Sequence, residues 1–183
     1  MLVLGIDPGS VKMGWGLVEY HSKRMKYISS GALVFDQQKV FLDRLSNIQE
    51  QFRDLLQSIN PDIVAMESLI YVKSPTALIK LAQTRGMVLS ILMDRFQGKI
   101  FEYSPNLVKA STTGHGHASK ESIQKFLSLH LGIREFNHFD ESDALAVSIC
   151  HILNNPNNQK QIMTKTSSRS IASAVKHKIK ELN

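Results

Sequence analysis

Apolar positions along this chain follow two rhythms. Short apolar or alternating runs at residues 2–6, 14–20, 26–34, 63–66 and 100–103 predict five β-strands. A polar turn at 21–24 joins the second and third, and such short connections make the first three strands antiparallel. Between 40 and 59, Phe41, Leu45, Ile48, Phe52, Leu55, Leu56 and Ile59 recur at helical spacing, and Asn60-Pro61 ends that helix. The strand that follows such a crossover runs parallel to a neighbour. Ser74-Pro75 supplies an N-cap and a first-turn proline for a second helix reaching about residue 96. Gly86 inside it points to a close helix contact or a kink. Residues 112–119 read as a flexible loop, and 120–131 and 142–154 as further helices.

At Asn155 the pattern breaks. Asn155-Pro156-Asn157-Asn158-Gln159 is polar, and few large apolar residues follow it. The expectation is one α/β domain over 1–154 and a basic tail over 155–183, largely disordered by composition, with a short helix over 171–182 as its only candidate element. There is no internal repeat.

Composition sharpens this. The 183 residues carry 22 Lys+Arg against 16 Asp+Glu, a formal net charge of +6. Several acids look committed to one site, so the remaining surface is more basic than that figure and fits a polyanionic ligand as well as plain solubility. The single Cys150 sits in an apolar helical stretch, reads as a small core residue and points to a reducing cytoplasm. No run approaches the ~20 apolar residues of a membrane span, and the N-terminus shows no secretion leader.

Three segments end or begin an apolar run with a carboxylate. Asp7 closes 2–6, Glu67 closes 63–66, and Asp140 and Asp143 precede Ala144-Leu145-Ala146-Val147. Buried carboxylates need a cationic partner, and oxygen ligands from several elements suit a hard divalent ion. Adjacent strand ends can bring Asp7 and Glu67 together, and the spacing of Asp140 and Asp143 puts them on one face near a helix start. Taken singly, Asp140 also reads as the N-cap of the last helix and Asp7 as a turn cap. His115 and His117 lack nearby third and fourth ligands, which excludes a zinc site, and remain loop histidines near phosphate. Ser119 and Lys120 open a helix whose first amides suit a phosphate, although Lys120 also reads as an ordinary solvated residue. Leu78, Leu81, Ala82, Arg85, Val88 and Leu89 read as a core face or as a dimer face.

Four motifs then occur in order: Gly5-Ile6-Asp7-Pro8-Gly9-Ser10, Met66-Glu67-Ser68, Leu81-Ala82-Gln83-Thr84-Arg85-Gly86 and Asp140-Glu141-Ser142-Asp143-Ala144-Leu145-Ala146. Over about residues 1–154 the chain resembles the RuvC family of bacterial Holliday-junction resolvases. The resemblance implies an RNase H-like fold, a five-stranded mixed sheet with three antiparallel strands then parallel ones, flanked by helices. It implies a homodimer that cuts four-way junction DNA symmetrically, in recombination and repair, beside a branch-migration helicase complex of the RuvAB type. Asp7, Glu67, Asp140 and Asp143 match the family's catalytic, metal-binding carboxylates, for two Mg²⁺ ions with Mn²⁺ as a substitute. Lys109 and Lys120 match residues that approach the DNA backbone, and Lys73 and Arg85 are further candidate DNA contacts. Where the family often carries a base-stacking aromatic, this chain has Ile70, with Tyr71 beside it, so the choice lies between an apolar wedge and a shifted stacking residue.

Three other functions share parts of this pattern. An actin- or Hsp70-like ATPase needs two such domains and a second phosphate loop. A non-catalytic junction-binding module would use the carboxylates only structurally. An RNase H-fold nuclease acting on RNA shares the Asp-Pro-Gly chemistry but not the resemblance of residues 81–86.

Overall fold

The computed structural model describes residues 1–69, 74–114, 116 and 118–155. Ile70, Tyr71, Lys73, His115, His117 and the tail beyond Asn155 lie outside the described residues. Five strands form one sheet: β1 (Leu2–Asp7), β2 (Lys12–His21), β3 (Arg24–Val34), β4 (Ile63–Glu67) and β5 (Ile100–Tyr103). Their order is β3-β2-β1-β4-β5, with β1, β2 and β3 antiparallel and β1, β4 and β5 parallel. The expected mixed sheet is therefore present. The β2–β3 hairpin turns through Ser22 and Lys23, both at positive φ, which matches the right-handed twist of its strands.

Five helices flank the sheet: α1 (Phe41–Ser58), α2 (Pro75–Met93), α3 (Pro105–Thr113), α4 (Lys120–Leu131) and α5 (Phe139–Asn154). Alternation along the strands splits their side chains between two cores. Leu4, Ile6, Val64 and Met66 pack against α1 and α2 through Ile48, Phe52, Val88 and Leu92. Val3, Val18 and Ala65 pack against α3, α4 and α5 through Val108, Leu127, Leu145 and Ile149.

Three details depart from the sequence expectation. The segment left unassigned before residue 112 is a helix, α3, built as α2 is: Ser104 caps it through its hydroxyl and Pro105 occupies the first turn. The last helix starts three residues earlier than 142, at Phe139. Gly86 makes no close contact within the chain, because a Cβ there would meet nothing within 4 Å. On α2, Arg85 and Val88 are buried, Leu78, Leu81 and Leu89 are half-buried, and Ala82 is exposed.

Helix α5 lies almost directly on the backbone of β1 and β2. A Cβ at Gly5 would run into the Ala144 carbonyl and the Ser148 hydroxyl, and one at Gly14 into the Asp140 carbonyl. The Ser148 hydroxyl donates to the Gly16 carbonyl at 2.9 Å. This close seating fixes the height and rotation of α5 over the strand that ends in Asp7. Gly5→Ala is expected to lower stability by about 2–3 kcal/mol, since rigid backbone must move to admit the methyl group. Urea unfolding checks it, and a near-neutral change would contradict the close seating.

Candidate active site

Parallel pairing sets Ile6 beside Met66, so the next residues, Asp7 and Glu67, end neighbouring strands side by side. The two-residue period puts both on the α5 side, with Gly5 and Ala65. Helix α5 brings Asp140 and Asp143 over the same edge from its first two turns. His138 occupies the N-cap position and makes no side-chain cap hydrogen bond. Asp140 therefore lies inside the helix and not at its cap. A carboxylate in the first turn also meets the positive end of the helix dipole.

The four carboxylates feel one another. Burial, then Glu67, Asp143 and Asp140 in that order, push the Asp7 pKa up from 3.8 to about 7, against a smaller opposing pull from Lys120. Burial, followed by Asp143, also raises the Glu67 carboxyl, while Lys109 and Lys120 pull it down. Lys109 reaches this neighbourhood on α3, the helix that the hydrophobic pattern did not reveal. The Lys120 ammonium donates to Asp143 Oδ2 at 3.1 Å. Burial alone would lower the Lys120 pKa, but that hydrogen bond and the charges of Asp143, Asp7 and Asp140 outweigh it and raise it.

Among the described residues, no three Asp, Glu, His or Cys side chains are drawn into metal-ligand geometry. Repulsion opposes closer approach of Asp7, Glu67, Asp140 and Asp143, and a divalent cation reverses the sign of that term. The donor set consists of hard oxygens and fits Mg²⁺ or Mn²⁺, not a metal preferring thiolate.

Arg85 has a different place from the one expected. Its side chain is only 7% exposed and is committed to two partners: Nη1 donates to the Glu67 carbonyl at 2.6 Å and Nη2 pairs with Glu102. With both terminal nitrogens engaged, its guanidinium is turned to these partners and away from solvent. Arg85 instead holds the end of β4 from behind the site. A second buried arginine, Arg44, was missed altogether. It donates to the carbonyls of Asp36, Ser10, Gln37 and Lys39 and ties the loop after β1 to the start of α1. No local signal marks it, because an arginine on an amphipathic helix ordinarily faces solvent.

With this geometry in place, comparison with known proteins is decisive. Residues 3–151 match the family model for crossover junction endodeoxyribonuclease RuvC. The chain belongs to the RuvC family. The crossover junction endodeoxyribonuclease RuvC of Trichlorobacter lovleyi is 41% identical over 152 residues, covering 83% of this chain and 85% of that one. Its counterpart in Thermotoga petrophila is 36% identical over 154 residues, covering 84% and 93%. Among solved structures, T. thermophilus RuvC in complex with a Holliday junction substrate matches with a TM-score of 0.77 at 26% identity, covering 87% of this chain and 96% of that one. The yeast mitochondrial Holliday junction resolvase Ydc2 shares the fold, with a TM-score of 0.63 at 15% identity. RuvC proteins are metal-dependent endonucleases that act on DNA in recombination and repair, and this chain is an enzyme of that class.

Two expectations follow from the electrostatics. Asp7 ionises near 3.8 in the unfolded chain and near 7 when folded. Between those values the folded protein keeps a proton that the unfolded chain has lost, so Asp7 makes stability fall as pH rises from about 4 to about 7. His151, pulled down by burial to about 4, contributes the opposite slope below pH 6.5. The clean reading is therefore wild type minus Asp7→Asn in urea midpoints without added metal, and that difference should decline across the window. A flat difference would mean that neither burial nor the neighbouring carboxylates raise the Asp7 pKa in the folded protein. For Arg85, replacement by Met should lower cleavage by about 10–100-fold, as loss of support behind a ligand does, while junction affinity stays unchanged. Weakened junction binding with a normal cleavage rate would return Arg85 to the DNA surface.

Proposed function

We propose that this chain resolves four-way DNA junctions with Asp7, Glu67, Asp140 and Asp143 holding two Mg²⁺ ions, for which Mn²⁺ substitutes. The observation that carries the site is the convergence of the four carboxylates on one strand edge, where burial first, and then Glu67, Asp143 and Asp140, push Asp7 up to about 7. The pair spacing of two-metal sites, roughly 4 Å, is within reach of carboxylates from adjacent strands and a helix start. When bound, such ions supply an activated water and stabilise the leaving oxygen. The chain's own residues do the rest. Asp7 and Glu67 are held by paired strand ends, with Arg85 behind Glu67. Asp140 and Asp143 are held by the seating of α5. Lys109 and Lys120 offset the carboxylate charge and offer ammonium groups to the phosphate backbone, contacts that position DNA without reading its sequence.

A homodimer suits a substrate whose two cut strands are related by symmetry. Helix α2 supports this with an exposed apolar stripe at Ile79, Ala82, Gly86 and Met93, where small residues allow close approach. Residues 1–154 are the catalytic domain in this reading. In this reading the chain works beside a RuvAB-type helicase in the cytoplasm, a role that the family resemblance supports. No helix among the described residues is long and apolar enough to cross a membrane.

The testing substitution is Asp7→Asn, which removes an oxygen ligand and leaves the basic surface intact. It is expected to abolish Mg²⁺-dependent cleavage of a synthetic four-way junction while retaining junction binding. Wild type should nick both symmetric strands and sediment as a dimer. Cleavage near the wild-type rate in Asp7→Asn would contradict the mechanism.

A further inference from the structure

An open cleft of about 420 Å³ lies between the loop after β1, the start of α1 and the first turn of α2. Ser10, Gln37, Arg44, Ser74, Thr76 and Lys80 line it, and among the described residues no carboxylate does. Two of its six polar groups are cations. Arg44 is 6% exposed and gives its guanidinium hydrogens to neutral carbonyls only. Among the described residues it has no ion pair, and neither has Lys80. The Lys80 ammonium sits 5.7 Å from the Phe41 ring centroid, which steadies it without neutralising it. A buried cation without a counter-charge is costly, so a cleft holding buried Arg44 beside the partly exposed Lys80 ammonium, with the hydroxyls of Ser10, Ser74 and Thr76 around them, is matched to an anion.

We propose that this cleft binds one phosphodiester of the DNA strand being cut, a second anchoring point apart from the carboxylates. The proposal rests on the junction-cleaving function above. Chain geometry sets its scale. Ser10 is three residues past Asp7, a reach of roughly 10 Å at most, so the phosphate held here lies within a few nucleotides of the scissile one. Arg44 links the two places, since it shapes the cleft and holds the Ser10 carbonyl at 3.2 Å. Lys80 and the hydroxyls of Ser10 and Thr76 are the groups free to meet the ligand, and the amides of the first turn of α2 add partial positive charge. Strand binding and placement of the Asp7 loop are thereby joined in one structure.

The test compares wild type, Lys80→Gln, Lys80→Arg and Phe41→Leu, with folding checked by thermal unfolding. Junction affinity is measured against salt concentration. Lys80→Gln should reduce the log–log slope by about one unit, the signature of one lost phosphate contact, whereas Lys80→Arg and Phe41→Leu should keep it. Junctions carrying one neutral methylphosphonate are then scanned through the positions flanking the cut. One position should weaken wild type and leave Lys80→Gln unaffected, which assigns that phosphate to this cleft. An unchanged slope in Lys80→Gln, or equal losses in both proteins at every position, would overturn the site. Saturable amide shifts at Ser10 and Thr76 with inorganic phosphate, together with an unchanged junction slope, would also overturn it and show a site for free anions. A wild-type protein that fails to bind junctions would overturn the functional reading first, and this site with it.

Discussion

The seating of α5 on β1 and β2 is the contact from which the rest of the site follows. Two of the four carboxylates belong to the sheet and two to the helix, so their separation is set by how near the helix axis comes to the strands. Gly5, Gly14 and Gly16 remove the side chains that would hold it away. The helix then rests on backbone, and the Ser148 hydroxyl secures it to the Gly16 carbonyl. Close-packed backbone has no soft coordinate, so Asp140 and Asp143 inherit the precision of the fold itself.

That precision works against stability. Burial of Asp7 and repulsion from the other three carboxylates together raise its pKa to about 7. The two cores on either face of the sheet offset this cost, as do local countercharges: Lys120 on Asp143 and Lys109 near Glu67. A protein that stores such repulsion is poised to bind a cation, because binding removes a cost already present in the folded state. Lys120 is instructive here. Its ion pair joins the basic surface to the acidic centre, so the two charge patterns inferred from composition meet in one contact.

Much of this was legible in the sequence, for identifiable reasons. Strand ends were marked by Asp7 and Glu67 because a carboxylate after an apolar run is conspicuous, and parallel pairing then brings the two together without further information. Asp140 and Asp143 were legible as a pair through their spacing. Their shared helix reads in the sequence as starting at 142, whereas α5 begins at Phe139, whose side chain is exposed and adds nothing to the apolar face. Helix α3 escaped because nine residues with only Val108 and Thr112 buried carry almost no hydrophobic period, although Ser104-Pro105 repeats the start signal of Ser74-Pro75. Arg85 reads in the sequence as a surface contact, as a charged residue in a motif does, and only the fold shows the carbonyl and the carboxylate that it holds. Arg44, bound to four backbone carbonyls, had no sequence signal at all.

The most direct measurement is an anomalous difference map from crystals of the protein grown with Mn²⁺ and a four-way junction. Manganese at the β1–β4 edge, coordinated by Asp7 and Glu67 with Asp140 or Asp143 completing the oxygen set, is the expected result. It should disappear in Asp7→Asn crystals under the same conditions. Manganese bound elsewhere, or a β1–β4 edge that stays metal-free with DNA in place, would contradict the view that these four carboxylates are one cation site.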